Sequence, residues 1–581
     1  MDGERREVDV VRGLTHRWVV RAPGVGASGL VERVLGVRGL TDAGARERFL
    51  EPSLKDLHDP GLMPGIDRAA SRMLEAMHAG DRIAIYGDYD VDGITATAIL
   101  YRTIIALSPG ASVDTFIPHR DEGYGLSNDG INGLADAGAR VIVSVDCGIT
   151  AIEPAEAALR RGVDLIITDH HNPPSSEGEL PRAFAIVHPR APGSRYPFAD
   201  LCGAGVAFKL AWRLATMHAG SDRVSDGIRS LLVELLAPAA LGAIADVVPL
   251  VGENRVIARH GLPRVAHSPF VGIRALVDAS GLSSDKVDAE DVGFRLAPRI
   301  NACGRMGHAR EALELMLTDD EAEARRIAQH LSRENERRRG VERAVVEQAC
   351  GLVDEAGLDG RRSIVLAHAA WARGVVGLAA SRLVDRYCRP TVMLRLENGM
   401  AYGSARSIDG FNMHAGLEAC AAHLSTWGGH DAAAGLSVEA RKIEAFREAF
   451  EAHAASVLRE EDLVPTVHVD CDAMVEELTV QGVEALERLA PFGAANPRVR
   501  TRLRGVRVAA RPDVIGRDGK HIKVTFDGAK PMRVVAWGWA RHLDEFEVGR
   551  ELDVVVQPKV SRWGGRVSVE PELVDVVGRG G

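Results

Sequence analysis

Residues 83–93 read IAIYGDYDVDG and join an apolar run to three aspartates. A short apolar run that ends in glycine is typical of a buried parallel strand. Three further apolar runs also lead into acidic groups, at residues 141–146, 165–171 and 235–246. Because ligands of open α/β sheets bind beyond the carboxyl ends of the strands, we expect the four acidic groups to meet in one crevice. The pattern predicts an α/β fold built on a parallel sheet.

These acidic groups have the chemistry of a site for hard divalent cations. Carboxylates supply hard oxygen ligands and imidazole is intermediate, so a set without thiolates favours Mn²⁺ or Mg²⁺ over a structural zinc. Two such ions can clamp the attacking and leaving oxygens of a phosphodiester. We therefore expect two ions per site, bridged by Asp146, which ends a predicted strand just before Gly148.

Each acidic group also has a simpler explanation. An isolated DxDxDG is more often a solvated turn, His170 and His171 alone are more often surface or hydrogen-bonded histidines, and Asp246 alone can cap a helix. A calcium-binding EF-hand loop does not fit, because the context is strand to helix and the twelfth position is not Glu. The occurrence of all four groups at predicted strand ends favours a metal site.

Length and composition restrict the class of protein. A chain of 581 residues predicts three or four domains. Residues 1–11 are charged and lack the apolar core of a signal peptide. The most apolar long stretch, residues 231–250, contains Glu234, Pro238 and Asp246, which favours a buried helix and strand over a membrane span. We expect a cytoplasmic protein without membrane association.

The cysteines and the charge narrow the class further. The seven cysteines form no CxxC pair, which argues against a disulfide framework and against a zinc ribbon. A net charge of -10 argues against a protein that coats nucleic acid. Residues 498–566, however, carry a local excess of Arg and Lys. This segment predicts a basic surface on an otherwise acidic chain.

Changes of pattern along the chain predict its domains. The first fifty residues have short helical patterns, and the Arg- and Glu-rich stretch that ends near residue 356 is typical of one long exposed helix. Glycine-rich apolar runs after residue 363 predict a second, smaller α/β domain. The predicted boundaries are 1–53 for an N-terminal segment, 54–317 for the first α/β domain, 318–356 for the connecting helix, 357–458 for the second α/β domain and 463–578 for a C-terminal β-barrel.

The C-terminal part has the spacing of a small OB-type barrel. Short alternating runs occur at residues 466–469, 503–508, 521–526, 533–537, 552–556 and 566–569. Such barrels bind single strands through a basic groove and aromatic platforms. Most barrel aromatics are core residues, so we expect one or two of five candidates to face a base. The candidates are Phe492, Phe526, Trp537, Trp539 and Trp563.

The order of the motifs resembles the RecJ family of single-strand-specific exonucleases, in the DHH phosphoesterase superfamily. The motifs are DYDVDG (88–93), VDCG (145–148), TDHH (168–171), ADVVP (245–249), PRINACGRMG (298–307), GSARS (403–407), GGH (428–430) and PFGAANP (491–497). The resemblance extends from about residue 50 to about residue 575. It implies a DHH domain, a smaller DHHA1 domain and an OB fold.

The resemblance also implies an activity. It is that of a 5′-to-3′ exonuclease, dependent on Mn²⁺ or Mg²⁺, which hydrolyses single-stranded DNA to mononucleotides in recombination and repair. The expected mechanism is in-line attack by a water that two ions activate. Single-stranded DNA is the expected substrate, a helicase and a single-strand-binding protein are possible partners, and a monomer is expected.

The family's functional residues transfer to matching positions of this chain. The implied metal ligands are Asp88, Asp90, Asp92, Asp146, His170 and Asp246. The implied catalytic residues are Asp90, Asp146 and His171, the last in contact with the scissile phosphate. The implied DNA and phosphate contacts are Arg120, Tyr124, Arg299, Asn301, Arg305, Ser404, Arg406 and His430. Arginine suits this task because its planar fork binds phosphate in a bidentate way, although structural salt bridges are the simpler alternative.

The sequence departs from the family pattern at two places. Cys303 stands where alanine is frequent in the family, and the sequence ends soon after the predicted barrel, so we expect it to lack a C-terminal domain that some relatives have.

One alternative function is that of a DHH phosphodiesterase for short oligonucleotides or cyclic dinucleotides, which would not need a barrel. The other is a non-catalytic single-strand-binding replisome scaffold, which typically loses metal ligands.

Overall fold

A computed structural model of the chain describes residues 8–21, 29–119, 125–282, 286–528, 530–563 and 565–579. The chain divides into two compact units. The central unit consists of Glu47–Arg338 and Pro491–Pro497, and the composite unit consists of Met1–Arg46, Arg339–Ala490 and Arg498–Gly581.

The strands and helices are numbered in chain order. The strands are β1 (Asp9–Arg12), β2 (Arg17–Val20), β3 (Arg82–Tyr86), β4 (Val113–Phe116), β5 (Ala139–Val145), β6 (Asp164–Thr168), β7 (Ala185–Val187), β8 (Ile364–His368), β9 (Thr391–Glu397), β10 (Met400–Arg406), β11 (Thr426–Gly429), β12 (Ala433–Glu439), β13 (Thr466–Val469), β14 (Cys471–Ala473), β15 (Thr501–Ile515), β16 (His521–Phe526), β17 (Met532–Ala536), β18 (Glu551–Gln557), β19 (Val560–Trp563), β20 (Arg566–Val569) and β21 (Glu572–Gly578). The helices are α1 (Leu30–Val37), α2 (Ala43–Leu50), α3 (Ile66–Ala79), α4 (Val91–Leu107), α5 (Asn128–Asp136), α6 (Ile152–Arg160), α7 (Gly203–Ala219), α8 (Asp226–Glu234), α9 (Leu236–Ala245), α10 (Gly252–Val265), α11 (Val271–Ala279), α12 (Ala289–Asp291), α13 (Ala297–Met306), α14 (Arg310–Leu317), α15 (Glu321–Ala356), α16 (Arg373–Tyr387), α17 (Met413–Ala419), α18 (Ile443–Val457) and α19 (Val480–Glu487).

The central unit is built on a five-stranded sheet in the order β4-β3-β5-β6-β7, with every neighbouring pair parallel. Alternate residues of one strand belong to different cores: Ile83 and Ile85 pack on one face, and Ala84 and Tyr86 pack on the other. Burial on both faces explains why these strands are almost continuously apolar in sequence. The predicted parallel sheet is confirmed.

One element before the acidic groups differs from the prediction. The apolar run that leads to Asp246 is helix α9, not a strand. Its sequence, LAPAALGAIA, is dominated by strong helix formers, and Pro238 falls in the first turn, where a missing N–H costs little. Together with α8 it forms a stretch, Asp226–Ala245, that is long and apolar enough to cross a bilayer, and half of its most apolar window is buried inside the protein.

The predicted long helix is α15, which begins after Asp320. The Asp320 carboxylate accepts N–H groups of Ala322 and Glu323 at 2.7 and 2.9 Å, which satisfies donors that the first turn leaves unpaired. Arginine and glutamate three or four residues apart pair along its exposed face, as in Arg325–Glu321 and Arg326–Glu323.

The composite unit contains a second sheet and a closed barrel. The sheet has the order β11-β12-β10-β9-β8, and among its neighbouring pairs only β8 and β9 are parallel. The barrel has the order β15-β16-β17-β21-β18 and closes because β18 also pairs with β15. The predicted fold class, with DHH-type sheet, smaller α/β domain and OB-type barrel, is confirmed.

Three details of the composite unit correct the sequence interpretation. The first fifty residues include strands β1 and β2, not only helices, and β2 pairs with β13 in a separate small sheet. Residues 466–469 and 566–569 therefore do not belong to the closed barrel, whose remaining strand is β21. Local alternation predicts that a segment is a strand but cannot predict its partner, which is why these assignments were wrong.

Candidate metal centre

The loop after β3 carries the first acidic group into helix α4. Asp90 is the N-cap of this helix, and its Oδ1 accepts the N–H groups of Asp92 and Gly93 at 2.9 and 3.1 Å. Aspartate is favoured at this position because it satisfies donors that the first helical turn leaves unpaired. Asp88, Asp90 and Asp146 each offer a carboxylate oxygen, and these oxygens lie within 4.8 Å of one another.

Asp92 is fixed by the start of helix α7. Its two carboxylate oxygens accept the N–H groups of Gly203 and Ala204 at 2.6 and 2.9 Å. Gly203 is required here because a Cβ on it would lie 2.6 Å from the side chain of Asp146. Burial and the charge of Asp90 raise the pKa of Asp92 to about 6. No local motif marked residues 203–204 as part of this site.

Asp146 follows β5 in a left-handed conformation, with φ of 62°. Aspartate adopts this conformation more readily than most residues. The N–H of Asp146 donates to the Thr168 carbonyl at 3.0 Å, which continues the β5–β6 pairing up to the acidic group. Gly148, with φ of 115°, then turns the chain away. Burial and the surrounding aspartates raise the pKa of Asp146 well above its ordinary value.

His170 lies among three of these carboxylates. Its Nε2 is 3.1 Å from Asp146, 3.6 Å from Asp246 and 3.8 Å from Asp92. Burial and the charge of His171 lower the pKa of His170 to about 3, so the ring is neutral at physiological pH. Among the described residues this nitrogen has no hydrogen-bond partner. A neutral imidazole that faces carboxylates in this way is suited to share a cation with them.

His171 has the opposite electrostatic character, because of Asp169. Its Nδ1 donates to Asp169 at 2.7 Å, and this bond, acting against burial, raises the pKa of His171 to about 9. Asp169 also accepts the N–H groups of Ile149, His170 and His171. Although burial opposes them, the hydrogen bond and charge of the His171 ring, together with the N–H groups of Ile149 and His171, hold the pKa of Asp169 well below its ordinary value. The TDHH motif alone does not reveal a role for Asp169. Asp169 keeps His171 oriented and positively charged.

Asp246 completes the cluster from the end of helix α9. It is followed by Val247, an exposed β-branched residue in the left-handed conformation with φ of 60°. Further along the same loop, the N–H of Leu250 donates to the carbonyl of Ala494 at 2.9 Å. Burial and the charges of Asp92 and Asp90 raise the pKa of Asp246 to about 8.

The six predicted ligands therefore lie together and fit divalent cations. Asp92, His170 and Asp246 form a second group whose ligand atoms lie within 4.8 Å of one another, beside the group of Asp88, Asp90 and Asp146. Asp146 contacts both groups, since it lies 3.1 Å from His170. Burial and the charges of neighbouring aspartates together raise the pKa values of Asp92, Asp146 and Asp246, and cations would offset the repulsion among the charges. Oxygen ligands with one imidazole suit Mn²⁺ or Mg²⁺.

Helix α13, which carries the PRINACGR motif, packs beside the first acidic loop. A Cβ on Gly304 would lie 3.1 Å from the Tyr89 carbonyl. Asn301 and Arg305 are four residues apart and so lie on one side of the helix. Arg299 donates to Ser332 at 3.1 Å and to the Arg295 carbonyl at 2.5 Å. Arg299, Asn301 and Arg305 remain predicted phosphate contacts.

Ser404, Arg406 and His430 lie at one end of the composite unit's sheet. Ser404 and Arg406 share a face of β10 and lie against helix α16, where a Cβ on Gly377 would be within 3.2 Å of both side chains. His430 is exposed in the turn between β11 and β12, and β12 begins opposite Arg406. The predicted contacts Arg120 and Tyr124 lie outside the described residues.

The barrel aromatics separate into core and surface. Phe526 and Trp539 are buried, with 0 % and 8 % of their surface exposed, whereas Trp537 is 55 % exposed. Phe492 belongs to the central unit, not to the barrel, and the Trp563 side chain lies outside the described structure. Among the four candidates that can be assessed, Trp537 is the one suited to stack on a base.

Three family descriptions match this chain in order. Residues 82–239 match the DHH family, N-terminal domain, residues 360–456 match the DHHA1 domain, and residues 469–575 match the RecJ OB domain. Similar curated proteins include the single-stranded-DNA-specific exonuclease RecJ of Bacillus subtilis, 37 % identical over 98 % of this chain and 70 % of that protein. That of Thermus thermophilus is 36 % identical over 90 % of this chain and 73 % of its own length.

Solved structures show the same likeness. RecJ of Thermus thermophilus in complex with Mn²⁺ has a TM-score of 0.81 and 31 % identity, over 97 % of this chain and 80 % of that one. The same protein in complex with Mg²⁺ has a TM-score of 0.75 and 30 % identity, over 97 % and 79 % of the two chains. Both ions are those that the donor set favours. From its domains, its acidic cluster and these relatives, the chain belongs to the RecJ family.

Proposed function

We propose that this protein is a metal-dependent exonuclease that degrades single-stranded DNA from the 5′ end to mononucleotides. The observation that carries the proposal is a cluster of five carboxylates, three of which face a neutral His170, with a positively charged His171 beside it. A metal-dependent phosphodiesterase needs side chains that bind the cations and a separate hydrogen-bond donor for the phosphate. The carboxylates and His170 are suited to the first task, and His171 is suited to the second. The substrate class follows from the relatives, which are single-stranded-DNA-specific exonucleases.

The side chains have separate tasks in this proposal. Two Mn²⁺ or Mg²⁺ ions would be held by Asp88, Asp90, Asp92, Asp146, His170 and Asp246, and Asp146 is the residue that lies against both groups of ligands. The ions, when bound, lower the pKa of the attacking water and offset phosphate charge. His171 donates a hydrogen bond from its remaining nitrogen, Nε2, to a non-bridging oxygen of the scissile phosphate. Asp169 fixes the direction of that bond through Nδ1.

Binding of the strand uses residues other than the metal ligands. Asn301 and Arg305 are placed on α13, which packs on the first acidic loop, and they contact phosphates of the bound strand. Ser404, Arg406 and His430 supply a second group of phosphate donors at one end of a sheet. Trp537 stacks on a base, because an exposed indole on an OB barrel provides a platform for any sequence.

The cellular setting follows from the family. We propose a cytoplasmic monomer that acts in DNA recombination and repair, with a helicase and a single-strand-binding protein supplying single-stranded DNA. Analytical ultracentrifugation of the purified protein tests whether it is a monomer. Pull-down experiments with a helicase and with a single-strand-binding protein test whether it binds either of them.

End-labelled digestion tests the activity. A long single strand labelled at either end is incubated with Mn²⁺, with Mg²⁺ or with a chelator, beside a dinucleotide and a cyclic dinucleotide. The proposal predicts that the 5′ label is released first as a mononucleotide, only with metal. Preferred hydrolysis of the dinucleotides would indicate the small-substrate phosphodiesterase instead. Strand binding without hydrolysis under any metal would indicate a scaffold.

A further inference from the structure

Cys303, Glu311 and His330 form a ligand cluster apart from the aspartates. They come from three different helices of the central unit, α13, α14 and α15. Glu311 Oε2 lies 4.0 Å from the Cys303 sulfur and 3.0 Å from His330 Nε2. One ligand atom from each residue lies within 4.8 Å of the other two.

The donor set selects a different cation from the aspartate cluster. Thiolate, imidazole and carboxylate together are a zinc set, since thiolate is a soft ligand that Mn²⁺ and Mg²⁺ do not favour. Zinc binds sulfur at about 2.3 Å and nitrogen or oxygen at about 2.0–2.2 Å in tetrahedral geometry, which separates ligand atoms by roughly 3–4 Å. The observed separations of 3.0 and 4.0 Å fall in this range.

The three side chains also allow an ion to enter from one side. The Cys303 residue is 4 % exposed, whereas 41 % of the Glu311 side chain and 34 % of the His330 side chain are exposed. Burial and the charge of Glu311 raise the pKa of Cys303 to about 12, so without a metal the sulfur is protonated at neutral pH. A bound cation would displace this proton, which makes binding pH-dependent.

We propose that Cys303, Glu311 and His330 bind one thiophilic divalent cation of the zinc class, with a fourth position open to water. The site ties α13 to α14 and α15. Because α13 also carries the predicted phosphate contacts and packs on the first acidic loop through Gly304, the ion braces a helix that borders the catalytic cluster. The proposal does not depend on the activity of the protein.

Cobalt spectroscopy tests this site without relying on nuclease activity. The protein is first saturated with Mg²⁺, and Co²⁺ is then added as the probe. A thiolate ligand gives a sulfur-to-cobalt charge-transfer band in the near ultraviolet, together with intense visible bands of tetrahedral Co²⁺. We expect these bands in the unmodified protein, at one Co²⁺ per chain, and their displacement by an equivalent of Zn²⁺.

Two variants locate the signal. Cys303→Ser keeps the size of the side chain but removes the thiolate, and is expected to lose the charge-transfer band. Asp146→Asn alters the aspartate cluster and is expected to keep it. The proposal is overturned if the unmodified protein shows no such band, or if the band survives in Cys303→Ser. Loss of the band in Asp146→Asn alone would assign it to Cys147 or Cys202, which are buried beside the aspartates, and would also overturn the proposal.

Discussion

The N–H of Leu250 donates a 2.9 Å hydrogen bond to the carbonyl of Ala494, which joins the loop after Asp246 to the PFGAANP motif. Residues 491–497 belong to the central unit, although the chain on both sides of them belongs to the composite unit. Gly493 also touches Leu250, since a Cβ on Gly493 would lie 2.7 Å from the Leu250 side chain. The motif thus holds the loop that carries Asp246.

Gly493→Val should weaken metal binding through this contact. The added side chain would push Leu250 and shift the loop, so we expect a higher Mn²⁺ concentration for half-maximal activity, by about 10-fold, as for other residues that orient metal ligands. Leu250→Ala removes the clashing atoms, and the double variant should recover much of the lost affinity. Activity measured against Mn²⁺ concentration checks this. Equal losses in the single and double variants would show that the contact does not position Asp246.

Substitutions of the adjacent residues His170 and His171 should have different effects on activity. His170→Ala removes a predicted ligand, so it should raise the Mn²⁺ requirement. His171→Gln should leave Mn²⁺ affinity nearly unchanged but lower kcat by about 10²- to 10³-fold, the usual effect of removing one donor to a developing oxyanion. Asp169→Asn should lower kcat as well and reduce the pKa of His171, which NMR titration of the ring can follow. A purely structural Asp169 would leave that pKa in place.

Bound Mn²⁺ should raise the free energy of unfolding, and this gain should depend on Asp146. At a Mn²⁺ concentration of 100 times Kd the unfolding free energy should rise by about 2.7 kcal/mol. Asp146→Asn keeps the shape and tolerates the left-handed backbone, so it should abolish this gain. Without metal the same variant should be more stable than the unmodified protein, because it removes a carboxylate whose pKa is raised by burial and by the neighbouring aspartates. Thermal unfolding with Mn²⁺ or with chelator measures both effects.

Lys209 and Glu253 form an ion pair whose side chains are fully buried in the central unit. The Glu253 carboxylate also accepts the Tyr196 hydroxyl at 2.6 Å and the His58 N–H at 2.8 Å. Lys209→Met would leave this carboxylate buried without its cation, so we expect a loss of about 3–5 kcal/mol in urea unfolding. Lys209→Met combined with Glu253→Gln should cost less than Lys209→Met alone. A larger cost for the double variant would contradict this account.

Trp537 and Trp539 allow a controlled test of strand binding, because one ring is exposed and the other is buried. Trp537→Ala should weaken binding of a labelled single strand by about 1–3 kcal/mol with little change in stability, because the exposed ring stacks on a base. Trp539→Ala should instead lower stability by about 3–5 kcal/mol, because that ring is buried against Phe546. Fluorescence anisotropy in an Asp146→Asn background measures binding without cleavage. Equal affinity of Trp537→Ala and its parent would exclude the stacking role.

The sequence predicts the acidic cluster well because each ligand follows a strongly marked element. Asp88, Asp146 and His170 come after apolar runs that the two-sided parallel sheet requires, and parallel strands bring their carboxyl ends together. The run before Asp246 resembles the other apolar runs and so predicts a strand, although its alanines and leucines favour the helix that is observed.

Other parts of the site depend on contacts that no local pattern contains. Asp169 acquires its role only when His171 folds back onto it, and Gly203 only because the start of α7 meets Asp92 and Asp146. The contact between Leu250 and Ala494 likewise joins segments far apart in the chain. For the same reason, the sequence does not predict that β2 pairs with β13.

The most direct test of the two-ion cluster is an anomalous difference map from crystals grown with Mn²⁺. We expect two peaks, about 3.5–4 Å apart, with the Asp146 carboxylate in contact with both and His170 and Asp246 at one of them. No peak among these aspartates in an active preparation, or a single ion that Asp146 does not touch, would contradict this expectation.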